Sequence, residues 1–397
     1  TAHSFHLVCR PYPTIYSDIF RSENLRNMIK NPFKFGTIVD SRFFTNRKSE
    51  SKQLKSMIHS DVHIIMISPR RFGKTSLIHK ILSGIERPVI SLDMQMLTSE
   101  IDFAEQLLNR IHKHFPFQKF KTMLKSFRIT PTISINPLTG EADVHFDNRK
   151  GGETALEDVI NLLNNLSTPK KRLIVVFDEF QAIRQIGKNL EKKMRAIMQY
   201  HKDINYIFMG SQESMMRDIF EKHASPFYHF GALLVLGKIS EDDFMQYLIN
   251  GFGLGWDNRE EIEGLGKSIL AITKCHPYYT QQLAWHVWET YIGKQELNES
   301  IEEAVNTILR NHGRDFERLW GSLINTDRKI LIGLGVTELL PTSTEFLFLT
   351  GVRSTSTAGS SLERMVNSGT VLKIDGKYDI EDPFFKEWIK RKRAYKQ

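Results

Sequence analysis

Gly73, Lys74 and Thr75 stand together near the start of the chain, and Asp178 and Glu179 stand together far downstream. A lysine and a hydroxyl directly after a glycine suit a polyphosphate and its metal ion. Two adjacent carboxylates suit metal and proton chemistry. The first group lies in Ser68-Pro69-Arg70-Arg71-Phe72-Gly73-Lys74-Thr75-Ser76. This is the frame of a phosphate-binding loop (glycine, four residues, Gly-Lys-Thr/Ser), with Ser68 where the first glycine usually stands. In such a loop, backbone N–H groups and the following helix N-terminus form an anion cradle. Gly73 lets the backbone approach the ligand. Lys74 then reaches the β- and γ-phosphates of ATP or ADP, and the Thr75 hydroxyl ligates Mg²⁺. Ser68 is expected to lose about 1 kcal/mol or more if the loop demands a positive φ there.

These groups need a scaffold that brings them to one edge. A short apolar run, Ile64 to Ile67, precedes the loop, and a helical pattern follows to Ser83. Further apolar runs occur at Pro88 to Asp93, Leu173 to Phe177, Ile204 to Met209 and Ala232 to Leu236, with helical patterns between several of them. Strands alternating with helices predict an α/β fold, a parallel sheet with helices on both faces. Continuous β-branched runs are those of strands buried on both sides. In such a sheet ligands sit at the carboxyl ends of strands. Asp178, ending the most hydrophobic strand, is therefore placed to hold Mg²⁺ through water, and Glu179 to polarise the attacking water. The bland alternative is that both acids cap the next helix. Ser211, after the strand ending at Gly210, either lies beside the γ-phosphate or caps the helix running into Met215 and Met216. Alternation through Ile133, Ile135, Val144 and Phe146 about a Pro-Leu-Thr-Gly turn predicts an inserted hairpin.

The chain has 397 residues and a formal net charge of +8, which permits a polyanionic partner without requiring one. No apolar run approaches the roughly 20 residues of a membrane span. Only Cys9 and Cys275 are present, so neither a disulfide framework nor a thiolate metal site is expected. A cytoplasmic protein without membrane contact is the expectation. Residues 1–30 read as an N-terminal arm and 31–238 as the nucleotide-binding core. Residues 239–325 read as a helical lid. Residues 326–397 read as a winged helix: three helical runs, then Thr370 to Ile374 and Lys377 to Ile380 about Asp375-Gly376, a strong hairpin signal. Its third helix, 355–368, is rich in Ser and Thr. Arg353 and Arg364 are available for phosphates, but side chains suited to reading bases are sparse. A protein partner is the favoured role and DNA the lesser one. The basic run Lys386, Lys390, Arg391, Lys392, Arg393 and Lys396 reads as a solvated helix end, and Phe384, Phe385 and Trp388 as core.

Taken together, the chain resembles a family of P-loop ATPases abundant in archaea, close to both the STAND signalling ATPases and the origin-recognition AAA+ ATPases. The likeness spans about residues 31–390. It rests on Asn31-Pro32-Phe33, Phe44-Thr45-Asn46-Arg47, the loop from Pro69 to Leu77, Phe177-Asp178-Glu179-Phe180-Gln181, Gly210-Ser211, Ser225-Pro226-Phe227-Tyr228, His276-Pro277-Tyr278-Tyr279 and Asp382-Pro383-Phe384-Phe385. The resemblance implies a P-loop NTPase core, a lid and a winged helix. It implies that Phe44 and Arg47 border the adenine and that Pro277 packs near the nucleotide. The family's usual glycine two residues before that proline is Cys275 here. An arginine finger common after Ser225-Pro226-Phe227-Tyr228 is missing from His229-Phe230-Gly231, leaving Arg70, Arg71 or Arg217 as substitutes.

Overall fold

The computed structural model describes residues 30–37, 47–114, 117–135, 142–146, 151–291, 297–374 and 376–394. The expected N-terminal arm up to residue 29, Phe44, the Pro-Leu-Thr-Gly turn and Asp375 lie outside them.

A five-stranded sheet organises the first half. Its strands are β1 (Ile64–Ile67), β2 (Val89–Asp93), β5 (Leu173–Asp178), β6 (Ile204–Gly210) and β7 (Ala232–Val235), in the order β2-β5-β6-β1-β7, all parallel. Strands β3 (Thr132–Ile135) and β4 (Ala142–His145) form the expected separate hairpin. Alternate strand residues feed two different cores, as the strand period of two requires. Ile65, Ile67, Val175, Phe177, Tyr206 and Phe208 pack on one face with helices Glu100–His112 and Gly152–Leu166. Ile64, Met66, Ile174, Val176, Ile207 and Met209 pack on the other with helices Lys48–His59 and Lys74–Leu82. The continuous apolar runs follow from this: no strand position in β1 or β6 faces water. Strand order does the rest. β1 stands between β6 and β7 while the chain leaves it for the far edge, so the crevice for a ligand opens at its carboxyl end.

The second half is helical. Helices Glu241–Phe252, Arg259–Thr273, Pro277–Tyr291 and Leu297–Ser322 lead into the three shorter helices Asn325–Val336, Thr344–Thr350 and Thr355–Asn367. Strands β8 (Val371–Ile374) and β9 (Lys377–Ile380) and the helix Pro383–Lys392 close the chain. These elements share a single hydrophobic core running from Ile239 to Ile389. Phe384, Phe385 and Trp388 lie in it, as expected. Lid and winged helix are therefore one packed body. Residues 31–35, counted above with the sheet, belong to that body too. Phe33 is buried against Tyr247, Phe252 and Trp288, and the Asn31 side chain donates to the Trp285 carbonyl and to Glu289.

The expectation of a solvated basic end is corrected for three of its cations, while Lys392 is exposed and Lys396 lies outside the described residues. Lys386 pairs with Asp379, Arg391 with Glu302 and Glu387, and Arg393 with Glu317 while stacking on Trp320 and Trp388. Arg391 and Arg393 fasten the last helix to the lid, and Lys386 ties it to β9. Arg364 is likewise committed: with Ser361 it binds the buried Asp327 carboxylate, through its Nε and Nη2. No helix among the described residues is long and apolar enough to cross a membrane.

One local strain has a testable cost. Helix Arg259–Thr273 ends in two consecutive left-handed residues, Lys274 (φ 51°) and Cys275 (φ 58°). The second is the position at which the resemblance implies a glycine. A side chain there costs about 1–2 kcal/mol, part of which a glycine returns through the entropy of the unfolded chain. Cys275→Gly is expected to stabilise the protein by roughly 0.5–1 kcal/mol in urea denaturation. A lower stability would show that Cys275 packing outweighs the strain.

Candidate active site

The phosphate loop leaves β1 at Ser68, whose N–H is bonded to the Gly210 carbonyl of neighbouring β6 at 3.3 Å. The backbone turn is made by Arg71 (φ 64°) and Gly73 (φ 87°), not by Ser68. The strain expected at Ser68 is therefore absent. A buried serine fits because the left-handed residues are Arg71 and Gly73 and not Ser68. A side chain at Gly73 would meet nothing within 4 Å, so its glycine answers to φ rather than to crowding.

Gly73 caps the helix Lys74–Leu82 and puts Lys74 in its first turn. Lys74 is buried, and its ammonium lies 3.4 Å from the Ser68 carbonyl. Burial lowers its pKa, against the opposing pull of Glu179 and Asp178. A polyphosphate would restore the charge balance. Thr75 Oγ1 donates to Asp178 Oδ2 at 3.3 Å. Burial and the neighbouring Glu179 raise the Asp178 carboxyl, with Lys74 pulling the other way. A hydroxyl and one carboxylate side by side are hard oxygen donors of the kind Mg²⁺ takes when phosphates and water supply the rest. Among the described residues no group of three or more His, Cys, Asp or Glu forms an all-protein metal cage. The donor set thus fits Mg²⁺ brought with a nucleotide.

Glu179 is left-handed (φ 50°), an unusual conformation of the kind that collects at functional sites. Its Oε2 accepts from Ser211 Oγ at 2.6 Å, Gln181 Nε2 at 2.6 Å and the Ser211 N–H at 3.3 Å. Burial would raise its pKa, but these hydrogen bonds and Lys74 together hold it below the ordinary carboxylate range. The capping alternatives fail. Glu179 makes no side-chain cap to the turn it starts, and the helix Glu213–Phe220 begins at Gln212, leaving the Ser211 hydroxyl on Glu179.

A cavity of about 630 Å³ opens over the loop, enough for a nucleoside triphosphate. Arg70, Arg71, Lys74, Thr75, Ser76 and Glu179 line its sheet side, and Phe35, Ile239, Pro277 and Tyr278 its lid side. It lies between the two bodies of the molecule. Phe72, which the loop motif includes, lines the cavity too, and is buried against His276 at 4.7 Å between ring centroids. Pro69 lines a second cleft, between the core, the lid and the wing. Arg47 lines this cavity, but its guanidinium is spent on Glu50, the Phe72 carbonyl and the Gly237 carbonyl. It is a clasp between elements rather than a free base contact. Arg217 lies on the second cleft, paired with Glu213 and Glu221. Of the three arginines named as finger substitutes, Arg70 and Arg71 line the cavity over the loop and Arg217 does not.

Sequence reasoning assigned no role to Gln181 or Tyr279, although both lay in quoted motifs. Burial marks them: Gln181 is 5% and Tyr279 2% exposed, and both meet the site through side-chain hydrogen bonds.

Residues 314–391 match the family model of a probable winged helix domain. No curated protein sequence matches the chain. Among solved structures, the chain is similar to the Walker-type ATPase PABY2304 of Pyrococcus abyssi. The TM-score is 0.62 and the identity 20%, over 92% of this chain and 99% of that one. It is also similar to the Aeropyrum pernix ORC2 protein in its ADPNP–ADP complexes. Here the TM-score is 0.51 and the identity 13%, over 90% of this chain and 98% of that one. At these identities the likeness is one of fold. It agrees with the architecture that the motifs implied: a P-loop ATPase sheet, a helical segment and a C-terminal winged helix.

Proposed function

We propose that this chain, folded as a P-loop ATPase, is a nucleotide-controlled switch that binds ATP and ADP with Mg²⁺ and hydrolyses ATP slowly. One observation carries the reading. Lys74, Thr75 and Glu179 line one cavity between two bodies, and Asp178 and Ser211 stand behind it, bonded to Thr75 and Glu179, all at the ends of three adjacent strands, β1, β5 and β6. The ORC2 structure of similar fold is described with ADPNP and ADP, which agrees with a nucleotide in this place. In this reading Lys74 binds the phosphates, and Thr75 and Asp178 hold Mg²⁺. Glu179 orients water, with Ser211 at its side. A carboxylate held below its ordinary range by its hydrogen bonds is a weak base at neutral pH, which agrees with slow turnover.

A winged helix that contacts a protein fits better than one that reads DNA. Arg364 on its third helix is committed to Asp327, and Arg391 and Arg393 to the lid.

The test is to denature the purified protein and identify the released nucleotide by chromatography, then to titrate the emptied protein. ATP or ADP is expected, with affinity that falls when EDTA removes Mg²⁺. Neither a co-purifying nucleotide nor binding on titration would end this reading. Tight, sequence-selective duplex binding at physiological salt would put a DNA-associated ATPase in its place.

A further inference from the structure

The two bodies are joined across the nucleotide cavity by a short polar chain. Arg71, in the phosphate loop, donates to the Tyr279 hydroxyl at 2.8 Å, and its guanidinium lies 4.8 Å from the centre of the Tyr278 ring. The Tyr279 hydroxyl donates in turn to Glu381 Oε2 at 3.2 Å. Burial, then the Asp382 and Glu381 carboxylates, push the Tyr279 phenol up, so it stays a neutral donor. The other Glu381 oxygen faces His276 Nε2 at 3.5 Å, and neither atom has a hydrogen-bond partner. Phe72, next to Arg71, packs edge-on against that same His276 ring. Two adjacent loop residues thus touch three lid residues, His276, Tyr278 and Tyr279, and two of these, His276 and Tyr279, converge on one carboxylate just after β9. The next residue, Asp382, caps the final helix by accepting from the Phe384 and Phe385 N–H groups.

We propose that Arg71 is the residue that tells ATP from ADP, and that its bond to Tyr279 is a latch which a terminal phosphate opens. The proposal rests on the reading of the cavity as a nucleotide site and adds the regulation of that site. Arg71 lines the cavity beside Lys74 and Glu179, where a third phosphate would enter. An arginine gains far more from a phosphate, through paired charge-assisted bonds, than from a neutral phenol. A diphosphate is served by the loop backbone and Lys74, so Arg71 stays on Tyr279. A triphosphate draws Arg71 away and leaves Glu381 with only the neutral Tyr279 and His276. Because lid and winged helix share one core, loss of this tie lets both re-angle together against the sheet. A ligand moves such an equilibrium only through its different affinity for the two states, and the exchange of Tyr279 for phosphate is that difference.

The experiment compares wild type, Arg71→Ala, Tyr279→Phe and Lys74→Ala. Calorimetry uses ADP and a non-hydrolysable ATP analogue with Mg²⁺. Amide exchange is followed at 276–281 and 376–386. Tyr279→Phe keeps the ring and removes only the hydroxyl, so it tests the latch without emptying the core. Arg71→Ala is expected to weaken the ATP analogue at least about tenfold while leaving ADP within about twofold. Tyr279→Phe is expected to tighten the analogue several-fold, because the competing partner is gone. Wild type should show different exchange with the two nucleotides, and neither variant should. If Arg71→Ala shifts both nucleotides equally, or the exchange difference persists in it, the latch is overturned and the nucleotide site stands. If wild type binds neither nucleotide, or Lys74→Ala binds both as wild type does, the reading of the site falls and takes the latch with it.

Discussion

Lys74→Ala is expected to lower ATP affinity by about 100-fold or more while the protein keeps its fold. Charge-assisted hydrogen bonds contribute about 1.5–3 kcal/mol each, and an ammonium over the β- and γ-phosphates makes more than one. The loss is not made good by Arg70 or Arg71, which reach the cavity from the loop itself and not from the helix N-terminus. The fold should tolerate the change. Lys74 makes a single long contact to the Ser68 carbonyl, and burial already works against its charge. Alanine is also the best helix former for the first turn. Calorimetric titration with Mg-ATP, beside a thermal melt, checks both halves. Unchanged ATP affinity would remove the phosphate-loop assignment.

Glu179→Gln should do the opposite: it should keep nucleotide and Mg²⁺ bound and slow hydrolysis about 10²–10⁴-fold, the usual contribution of a general base. Glutamine keeps the shape and an acceptor for Ser211 and Gln181, so the loop after β5 should hold its conformation. Its neighbour is expected to fail differently. Asp178 faces the Thr75 hydroxyl, so Asp178→Ala should weaken Mg²⁺-dependent binding as well as turnover. Single-turnover phosphate release, with affinity measured separately, distinguishes the two. Wild-type turnover in Glu179→Gln would show that another group orients the water. The depressed pKa adds a sign that can be checked. Glu179 remains ionised well below neutrality, so hydrolysis should show no loss attributable to this carboxyl as pH falls from 8 to 6.

The sequence by itself determined the parts whose information is local. Runs such as Leu173 to Phe177 could only be strands buried on both faces, and the spacing of Gly73, Lys74 and Thr75 after β1 named a phosphate loop. Asp178 and Glu179 were legible because they follow such a strand directly. The wing hairpin and the core aromatics of the last helix were legible for the same reason. Tertiary structure decided the rest, because periodicity reports which face of an element is apolar and not what lies opposite a polar side chain. It alone paired Ser211 with Glu179, where the sequence had left it between a place beside the γ-phosphate and a helix cap. It spent Arg47 on two carbonyls and a carboxylate, Arg364 on Asp327 and Arg217 on its own helix. It also merged lid and winged helix into one core with Phe33, and joined Arg71, Tyr279 and Glu381 across the cavity. Those three residues lie far apart in the chain, and only the packing of the two bodies brings them together.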